Sequence, residues 1–228
     1  MSTMCGRFTL TTSKQQLAEA FAEFAPPKSI SPRYNIAPSQ PVAVVPNTGQ
    51  NQIDFFIWGL IPSWAKDPKI GNRLINARAE TLAEKPSFRA AYRRRRCLVL
   101  ADGFFEWRKQ SDKTKVPMYI QMASQTPFAF AGLWEEWHSD YGDQLLSCTI
   151  ITTEPNELLA SIHNRMPVIL PPEAFDQWLD PAEQPASRLQ PLLQPFPADQ
   201  MAAYPVSTFV NNPRNESEQC IAPLNQLF

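Results

Sequence analysis

The chain has 228 residues, a formal net charge of −1, 43% hydrophobic residues and 19% charged residues. Such a composition excludes a disordered chain, and the length is sufficient for one large domain or two small ones with a substantial core. Because there is no overall excess of positive charge, a nucleic-acid partner would require a local basic groove.

Cysteine spacing and hydropathy restrict the class of protein that the chain can belong to. The four cysteines, at positions 5, 97, 148 and 220, show no CxxC spacing, so neither a zinc site nor a redox motif is predicted, and we expect no metal and no cofactor. There is no apolar run near 18 residues and no signal peptide. We therefore expect a cytoplasmic protein without a membrane segment, in which thiols stay reduced.

The first part of the chain predicts short strands and one capped helix. A strand is predicted over residues 5–10, and a helix follows with a capping-box pattern at Ser13 and Gln16. Pro26-Pro27 ends that helix, and residues 31–38 are predicted to follow an extended, loop-like path between prolines. The remaining elements of this part are strands over 42–45 and 53–58, a loop over 59–64 and weak helical stretches up to residue 92.

The second part opens with the run Arg93–Arg96, which is most often a solvated face, before a strand over 97–100. Asp102-Gly103 predicts a tight turn. Further strands are predicted over 116–122, 128–133, 145–152 and 203–207, with helices after Pro155 and near 173–179. The pattern predicts an α+β fold, a single domain over 1–228 with a barrel-like mixed or antiparallel β core and peripheral short helices. The motif-bearing part is 5–170, and the proline-rich part 171–228 packs on it.

Cys5 follows a second methionine, Met4. If translation starts at Met4 and that residue is trimmed, Cys5 carries a free α-amine beside its thiol. The amine, with a pKa of about 7.7–8.0, can attack an aldehyde to give a Schiff base, and the thiol can then close a thiazolidine. In the plain alternative, Cys5 is a small apolar residue on a strand.

Three internal polar residues are candidates for chemistry. His163, one of two histidines, stands at the end of an element and is either a general acid or base or a surface histidine. Glu106 lies among aromatic residues, and strand alternation puts Phe105 and Trp107 on the opposite face. It is therefore either solvated or turned into a cleft, where desolvation would raise its pKa. Asn76 is either a structural cap or a group that orients a ligand.

Arginines and tryptophans offer contacts to a nucleic acid. Arg7, Arg78 and Arg165 each adjoin a candidate residue and can bind phosphate in a bidentate manner. Trp58 and Trp64 can stack on unpaired bases if they are exposed, although core packing is the commoner role of tryptophan.

Seven ordered blocks of the sequence resemble the SOS response-associated peptidase (SRAP) family of abasic-site processing proteins. The blocks are Cys5-Gly6-Arg7-Phe8, Arg33-Tyr34-Asn35-Ile36-Ala37-Pro38, Trp58-Gly59-Leu60-Ile61-Pro62, Asn76-Ala77-Arg78-Ala79-Glu80-Thr81, Arg96-Cys97-Leu98, Asp102-Gly103-Phe104-Phe105-Glu106-Trp107 and His163-Asn164-Arg165-Met166-Pro167. The resemblance implies a monomeric α+β protein that senses abasic sites in single-stranded DNA and forms a thiazolidine crosslink to them. It also implies nucleoid association on DNA, and admits crosslink reversal, lyase activity and self-processing.

The resemblance also implies a role for each site residue. Cys5 is the nucleophile, by its amine and then its thiol, and Asn76 positions the N-terminus and the sugar. Glu106 shuttles protons at the amine, and His163 assists opening of the sugar ring and protonates its hydroxyl. The residues implied to contact DNA are Arg7, Arg78 and Arg165 at the flanking phosphates, and Asn35, Pro38, Trp64 and Thr152 along the groove.

One departure from the family pattern concerns the start of the chain. Met1-Ser2-Thr3 precede Met4, whereas the family has its cysteine directly after the initiator methionine. We expect either a start at Met4, which we favour, or removal of the leader. Two other functions remain open: a cysteine peptidase that uses Cys5, His163 and Asn76 or Glu106, and a non-catalytic module that binds single-stranded DNA.

Overall fold

The computed structural model describes residues 6–112 and 114–224. Within these ranges the strands are β1 (Phe8–Leu10), β2 (Arg33–Ile36), β3 (Pro41–Pro46), β4 (Asp54–Trp58), β5 (Asn76–Arg78), β6 (Arg96–Ala101), β7 (Gly103–Lys109), β8 (Lys115–Met122), β9 (Phe128–His138), β10 (Gln144–Thr153), β11 (Met166–Pro167), β12 (Ile169–Leu170) and β13 (Met201–Pro205). The α-helices are α1 (Lys14–Ala20), α2 (Arg89–Arg94), α3 (Glu157–Ala160), α4 (Phe175–Leu179) and α5 (Ala186–Leu189). Short 3₁₀ segments lie at Pro68–Arg73, Ala79–Thr81, Pro172–Ala174, Gln190–Leu192, Ala198–Gln200, Thr208–Asn211 and Glu218–Cys220.

Five strands close into a barrel. β10 pairs with β4, β4 with β3, β3 with β6, β6 with β9, and β9 returns to β10. The short strands β5 and β11 pair with the last residues of β10, and β12 pairs with the first residues of β9. This closed barrel confirms the predicted α+β fold with a barrel-like β core and short peripheral helices. Because the barrel is closed, its strands have no open sheet edge.

A second sheet, in the order β13-β8-β7-β1-β2, packs on the barrel. Aromatic rings join the two layers: Phe8 of β1 lies 5.1 Å from Trp58 of β4 and 5.8 Å from Phe130 of β9, measured between ring centroids. Phe104 of β7 meets the same Phe130 at 5.9 Å. One face of β1 and β7 is therefore part of the main core.

The N-terminal part departs from the prediction at two points. The capping box at Ser13 and Gln16 is present, but α1 ends at Ala20, and buried Phe21 and Phe24 follow it. These two rings pack against Phe175, so tertiary contacts, and not a longer helix, fix the position of this stretch. The predicted loop over 31–38 is wrong in part, because β2 pairs with the free edge of β1 there.

The predicted tight turn at Asp102-Gly103 is not a hairpin. Strands β6 and β7 on either side belong to different sheets, so Asp102 marks the crossing between the layers. Its carboxylate accepts hydrogen bonds from the backbone N–H and hydroxyl groups of Thr11 and Thr12 and from the hydroxyl of Thr9. The Asp-Gly pair here anchors the start of the chain instead of reversing it.

The arginine run is only partly a solvated face. Arg93 and Arg94 are exposed and share Glu183, whereas Arg95 pairs with buried Glu135 at 2.6 Å. Arg96 is fully buried and donates to five backbone carbonyls, those of Tyr92, Arg93, Trp178, Asp180 and Ala182. Its hydrogen bonds therefore connect α4 and the segment after it to strand β6 of the barrel.

None of the helices in the described ranges is long and apolar enough to cross a membrane.

Substitution of Arg96 tests how much these hydrogen bonds stabilise the fold. Arg96→Ala leaves several buried carbonyls without a donor, and we expect the free energy of unfolding to fall by about 3–5 kcal/mol. Exposed Arg94→Ala, which loses one surface ion pair, should cost under about 1 kcal/mol. Denaturant unfolding of both variants measures the difference, and equal losses would contradict a structural role specific to Arg96.

Candidate functional site

Glu106 lies on β7, where successive side chains point to opposite faces of the sheet, and it is buried. Phe105 packs against Tyr119 at 5.1 Å on one side of β7, and Trp107 lies on that same side, as the sequence predicts. Glu106 lies on the other side, which faces the barrel, and only 2% of it is exposed. The solvated alternative is therefore wrong, because a second layer covers the face that alternation assigned to Glu106.

The chain enters the fold beside Glu106. Phe8 of β1 pairs with Phe104 of β7, and the backbone N–H of Phe105 donates to the carbonyl of Arg7 at 3.0 Å. Continued by one residue, this antiparallel register sets Gly6 opposite Glu106. Cys5 lies outside the described residues, but its neighbour in sequence begins the fold next to a buried carboxylate.

Asn76 begins β5, which runs parallel to β10 with Asn76 opposite Ile150. Trp58 links this strand to β1, because its ring contacts Phe8 and its indole N–H donates to the carbonyl of Ile75 at 2.9 Å. Trp58 is fully buried, so of the two roles that the sequence left open it has core packing. Half-buried Asn76 is thus held near the inner face of β1.

His163 lies in the turn between α3 and β11 and is half-buried. The backbone N–H of Arg165 donates to its Nδ1 at 3.3 Å, so the neutral ring carries its proton on Nε2. Burial lowers the pKa of His163, and the positive charges of Lys109 and Lys115 lower it further. These lysines end β7 and begin β8, so His163 is near the hairpin that carries Glu106.

Arg165 is tied down by two partners. Its Nη1 and Nη2 donate to the two carboxylate oxygens of Glu80 at 2.6 and 2.9 Å, and Nη2 also donates to the carbonyl of Thr152 at 2.6 Å. Only 14% of the Arg165 side chain is exposed, against 50% for Glu80. Thr152 itself is fully buried, and its hydroxyl donates weakly to the carbonyl of Ala77.

Arg78 is the exposed cation of the same region. It ends β5 opposite Thr152 on β10, beside the Arg165–Glu80 pair. Within residues 6–112 and 114–224 its guanidinium has no hydrogen bond or ion pair, and its charge acts on Glu80. We call the surface formed by Arg78, Glu80, His163 and Arg165, with buried Thr152 beneath it, the β10 ledge.

Arg7 and Asn35 contact the C-terminal segment. Arg7 Nη1 donates to Asn35 Oδ1 at 2.7 Å and to the carbonyl of Val210 at 2.9 Å, and burial lowers its pKa. Asn35 is fully buried and donates to the carbonyls of Val210, Asn212 and Asn215. This geometry gives both residues a structural role, and their contact with DNA stays a prediction.

Pro38 and Trp64 belong to two neighbouring loops. Ser39, next to Pro38, donates from its hydroxyl to Asn72 Oδ1 at 2.9 Å. Trp64 is 58% exposed and lines a concave surface of about 310 Å³. The other residues that line it are Ala65, Lys66, Asp67, Lys69, Ile70 and Arg73.

Several charged residues of this region were not predicted from the sequence. Glu80 belongs to a block that resembles the family, yet only its contact with Arg165 shows its place in the site. Lys66, Lys69 and Arg73 follow Trp64 within ten residues, a spacing that could have indicated an exposed aromatic and basic surface. Among the described residues, no group of three or more His, Cys, Asp or Glu side chains could hold a metal ion.

The geometry defines an α+β barrel protein with a polar site where its N-terminal segment meets the barrel edge. The chain belongs to the SOS response associated peptidase (SRAP) family, whose profile matches residues 4–213. This match confirms the resemblance seen in the sequence blocks.

Individual relatives match over nearly the whole chain. It is 51% identical over 221 residues to abasic site processing protein YoqW of Bacillus subtilis, covering 96% of this chain and 99% of that protein. It is 33% identical over 235 residues to abasic site processing protein YedK of Escherichia coli, covering 97% and 100%. A crystal structure of a protein from Bacteroides thetaiotaomicron superposes with a TM-score of 0.86 at 28% identity, covering 96% and 99%.

The environment of His163 predicts its titration. Because burial and two lysines disfavour the imidazolium, its pKa should lie below 6.5, and the ring should be neutral at pH 7. The folded state then resists protonation, so this residue lowers stability only as the pH falls through 6.5. NMR titration of the imidazole signals, with His163 identified by its loss in His163→Gln, measures the midpoint; one above 6.5 would contradict the burial argument.

Proposed function

We propose that this protein processes abasic sites in single-stranded DNA and captures them covalently through Cys5. The relatives YoqW and YedK are named abasic site processing proteins, and we extend that function to this chain on the strength of nearly full-length similarity. We further propose that the whole chain, 1–228, acts as one SRAP domain, as a monomer, in the cytoplasm and on the nucleoid.

The proposed chemistry uses two groups of one residue. The α-amine of Cys5 attacks the aldehyde of the ring-opened sugar, and loss of water gives a Schiff base. The thiol then adds to the imine carbon, its proton passes to the nitrogen, and a thiazolidine ring is closed. This requires Cys5 to be the first residue, which we propose follows from a start at Met4 and removal of that methionine.

The burial of Glu106 is the observation on which the proposal depends most. A carboxylate that is 2% exposed, beside the strand position where the chain leads back to Cys5, is suited to moving protons at the α-amine. Half-buried Asn76 would orient the amine and the sugar. His163, neutral at pH 7 with its proton on Nε2, would act on the ring oxygen and hydroxyl of the sugar.

We propose that DNA lies along the β10 ledge and the two neighbouring loops. Exposed Arg78 would donate to a phosphate, while Arg165 would meet one beside Glu80. Exposed Trp64 would stack on a base next to Pro38. Contacts of Arg7, Asn35 and Thr152 with DNA belong to the proposal as well, as do crosslink reversal, lyase activity and self-processing.

A crosslinking assay tests the function. Protein whose mass shows Cys5 as its first residue should give a covalent adduct with a single-stranded abasic-site oligonucleotide on a denaturing gel. Cys5→Ala should give none, and Glu106→Gln should react roughly 10²-fold more slowly or worse while it still binds DNA. The surface variant Glu136→Gln should react normally.

The same assay distinguishes the competing functions. Acetylation of the Cys5 amine should abolish the adduct, whereas a cysteine peptidase needs only the thiol and would stay active. No adduct from protein with a verified Cys5 terminus would refute the proposal.

The salt dependence of binding tests the ledge. Because one phosphate contact contributes about 0.7 to the slope of log affinity against log salt for single strands, Arg78→Ala should lower that slope by this amount. Arg89→Ala removes an exposed cation from α2 and should leave the slope unchanged. An unaltered slope for Arg78→Ala would place the DNA elsewhere.

A further inference from the structure

Glu80 is the acidic residue of the β10 ledge, among cations that we expect to bind phosphate. It is half-exposed and forms a two-point ion pair with Arg165. Its own burial would raise the carboxyl pKa, but the hydrogen bonds from Arg165 and the charges of Arg165 and Arg78 lower it overall. An anion at this position repels DNA, so its presence needs a compensating role.

Arg165 connects Glu80 to His163. While its guanidinium is held between Glu80 and the carbonyl of Thr152, its backbone N–H donates to Nδ1 of His163. The turn from His163 to Arg165 is short, since α3 ends at Ala160 and β11 begins at Met166. Because its side chain is fixed, the backbone of Arg165 has less freedom to move. That backbone carries the N–H that orients the imidazole of His163.

We propose that Glu80 is a positioning residue for the abasic-site reaction: through Arg165 it fixes the ring orientation and tautomer of His163. The inference rests on the proposed function for its catalytic consequence, although its structural part is independent of it. With Nδ1 held as acceptor, Nε2–H is the group left to face the sugar. The charged side chains that act on the ring are those of Lys109 and Lys115, and Arg165 acts on it through its backbone N–H.

A planar two-point pair explains why the residue is glutamate. Both carboxylate oxygens contact separate guanidinium nitrogens, a geometry that fixes rotation as well as distance. Glutamine would keep one oxygen acceptor but lose the charge and the second acceptor. Aspartate would keep the charge but, being one methylene shorter, could not span the same contact.

The first measurement reads the histidine directly. In wild-type protein the imidazole ¹⁵N shifts at pH 7.5 should report His163 as a neutral ring protonated on Nε2. In Glu80→Gln the two tautomers should mix. Only two histidines are present, and His163→Gln identifies the signals. Glu183→Gln, which breaks a comparable surface pair with Arg93 and Arg94, is the matched control and should leave them unchanged.

The second measurement separates binding from reaction. Glu80→Gln should crosslink an abasic oligonucleotide roughly tenfold to a hundredfold more slowly at saturating DNA, because a displaced catalytic group loses its alignment. Its affinity for an undamaged single strand should rise about twofold or more, because an anion has left the ledge. Glu80→Asp should bind like wild type and react at an intermediate rate.

The outcomes are distinct. Slow reaction, tighter binding and mixed tautomers in Glu80→Gln support positioning. Unchanged His163 signals in Glu80→Gln would overturn it, whatever the rate, and would leave Glu80 as a charge that only weakens DNA binding. If wild-type protein forms no adduct, the proposed function fails, while the NMR measurement still decides whether Glu80 orients His163.

Discussion

Strand β10 forms backbone ladders with four other strands, and the site depends on this arrangement. One edge pairs first with β4 and then with β5, and the other pairs with β9 and then with β11. The first pairings close the barrel, and the later ones carry β5 and β11 beyond it. Gly132 permits the closure, because a Cβ there would lie 2.9 Å from Cys97 Sγ and 3.0 Å from the carbonyl of Thr149. The strands that bear Asn76, Arg78 and the residues after His163 are therefore extensions of a rigid core.

Local patterns predicted most of the elements because their causes are local. The capping box at Ser13 needs only the next three residues, and the apolar strand from Cys97 to Leu100 is apolar because it faces the core on both sides. The end of α1 and the existence of β2 could not be predicted in this way. Each depends on a partner distant in sequence, Phe175 for the first and β1 for the second.

The site shows the same division between local and distant causes. The sequence placed Glu106 correctly on the face opposite Phe105, but whether that face meets water or a second layer is a tertiary fact. It likewise could not separate Arg96, buried among carbonyls, from exposed Arg93 and Arg94 in the same run. Residue type restricts what a side chain can do chemically, and the packing of layers decides which of those roles it has.

The clamp formed by Arg7 and Asn35 has a consequence for how the two ends of the chain are related. Arg7, two positions after Cys5, is tied to backbone carbonyls at Val210 and Asn211, more than two hundred residues away. The residue just before β1 is thus bonded to the last tenth of the polypeptide. During synthesis these contacts form only when nearly the whole chain has emerged, so the entry of the chain into β1 gains its C-terminal partner only once the protein is almost complete.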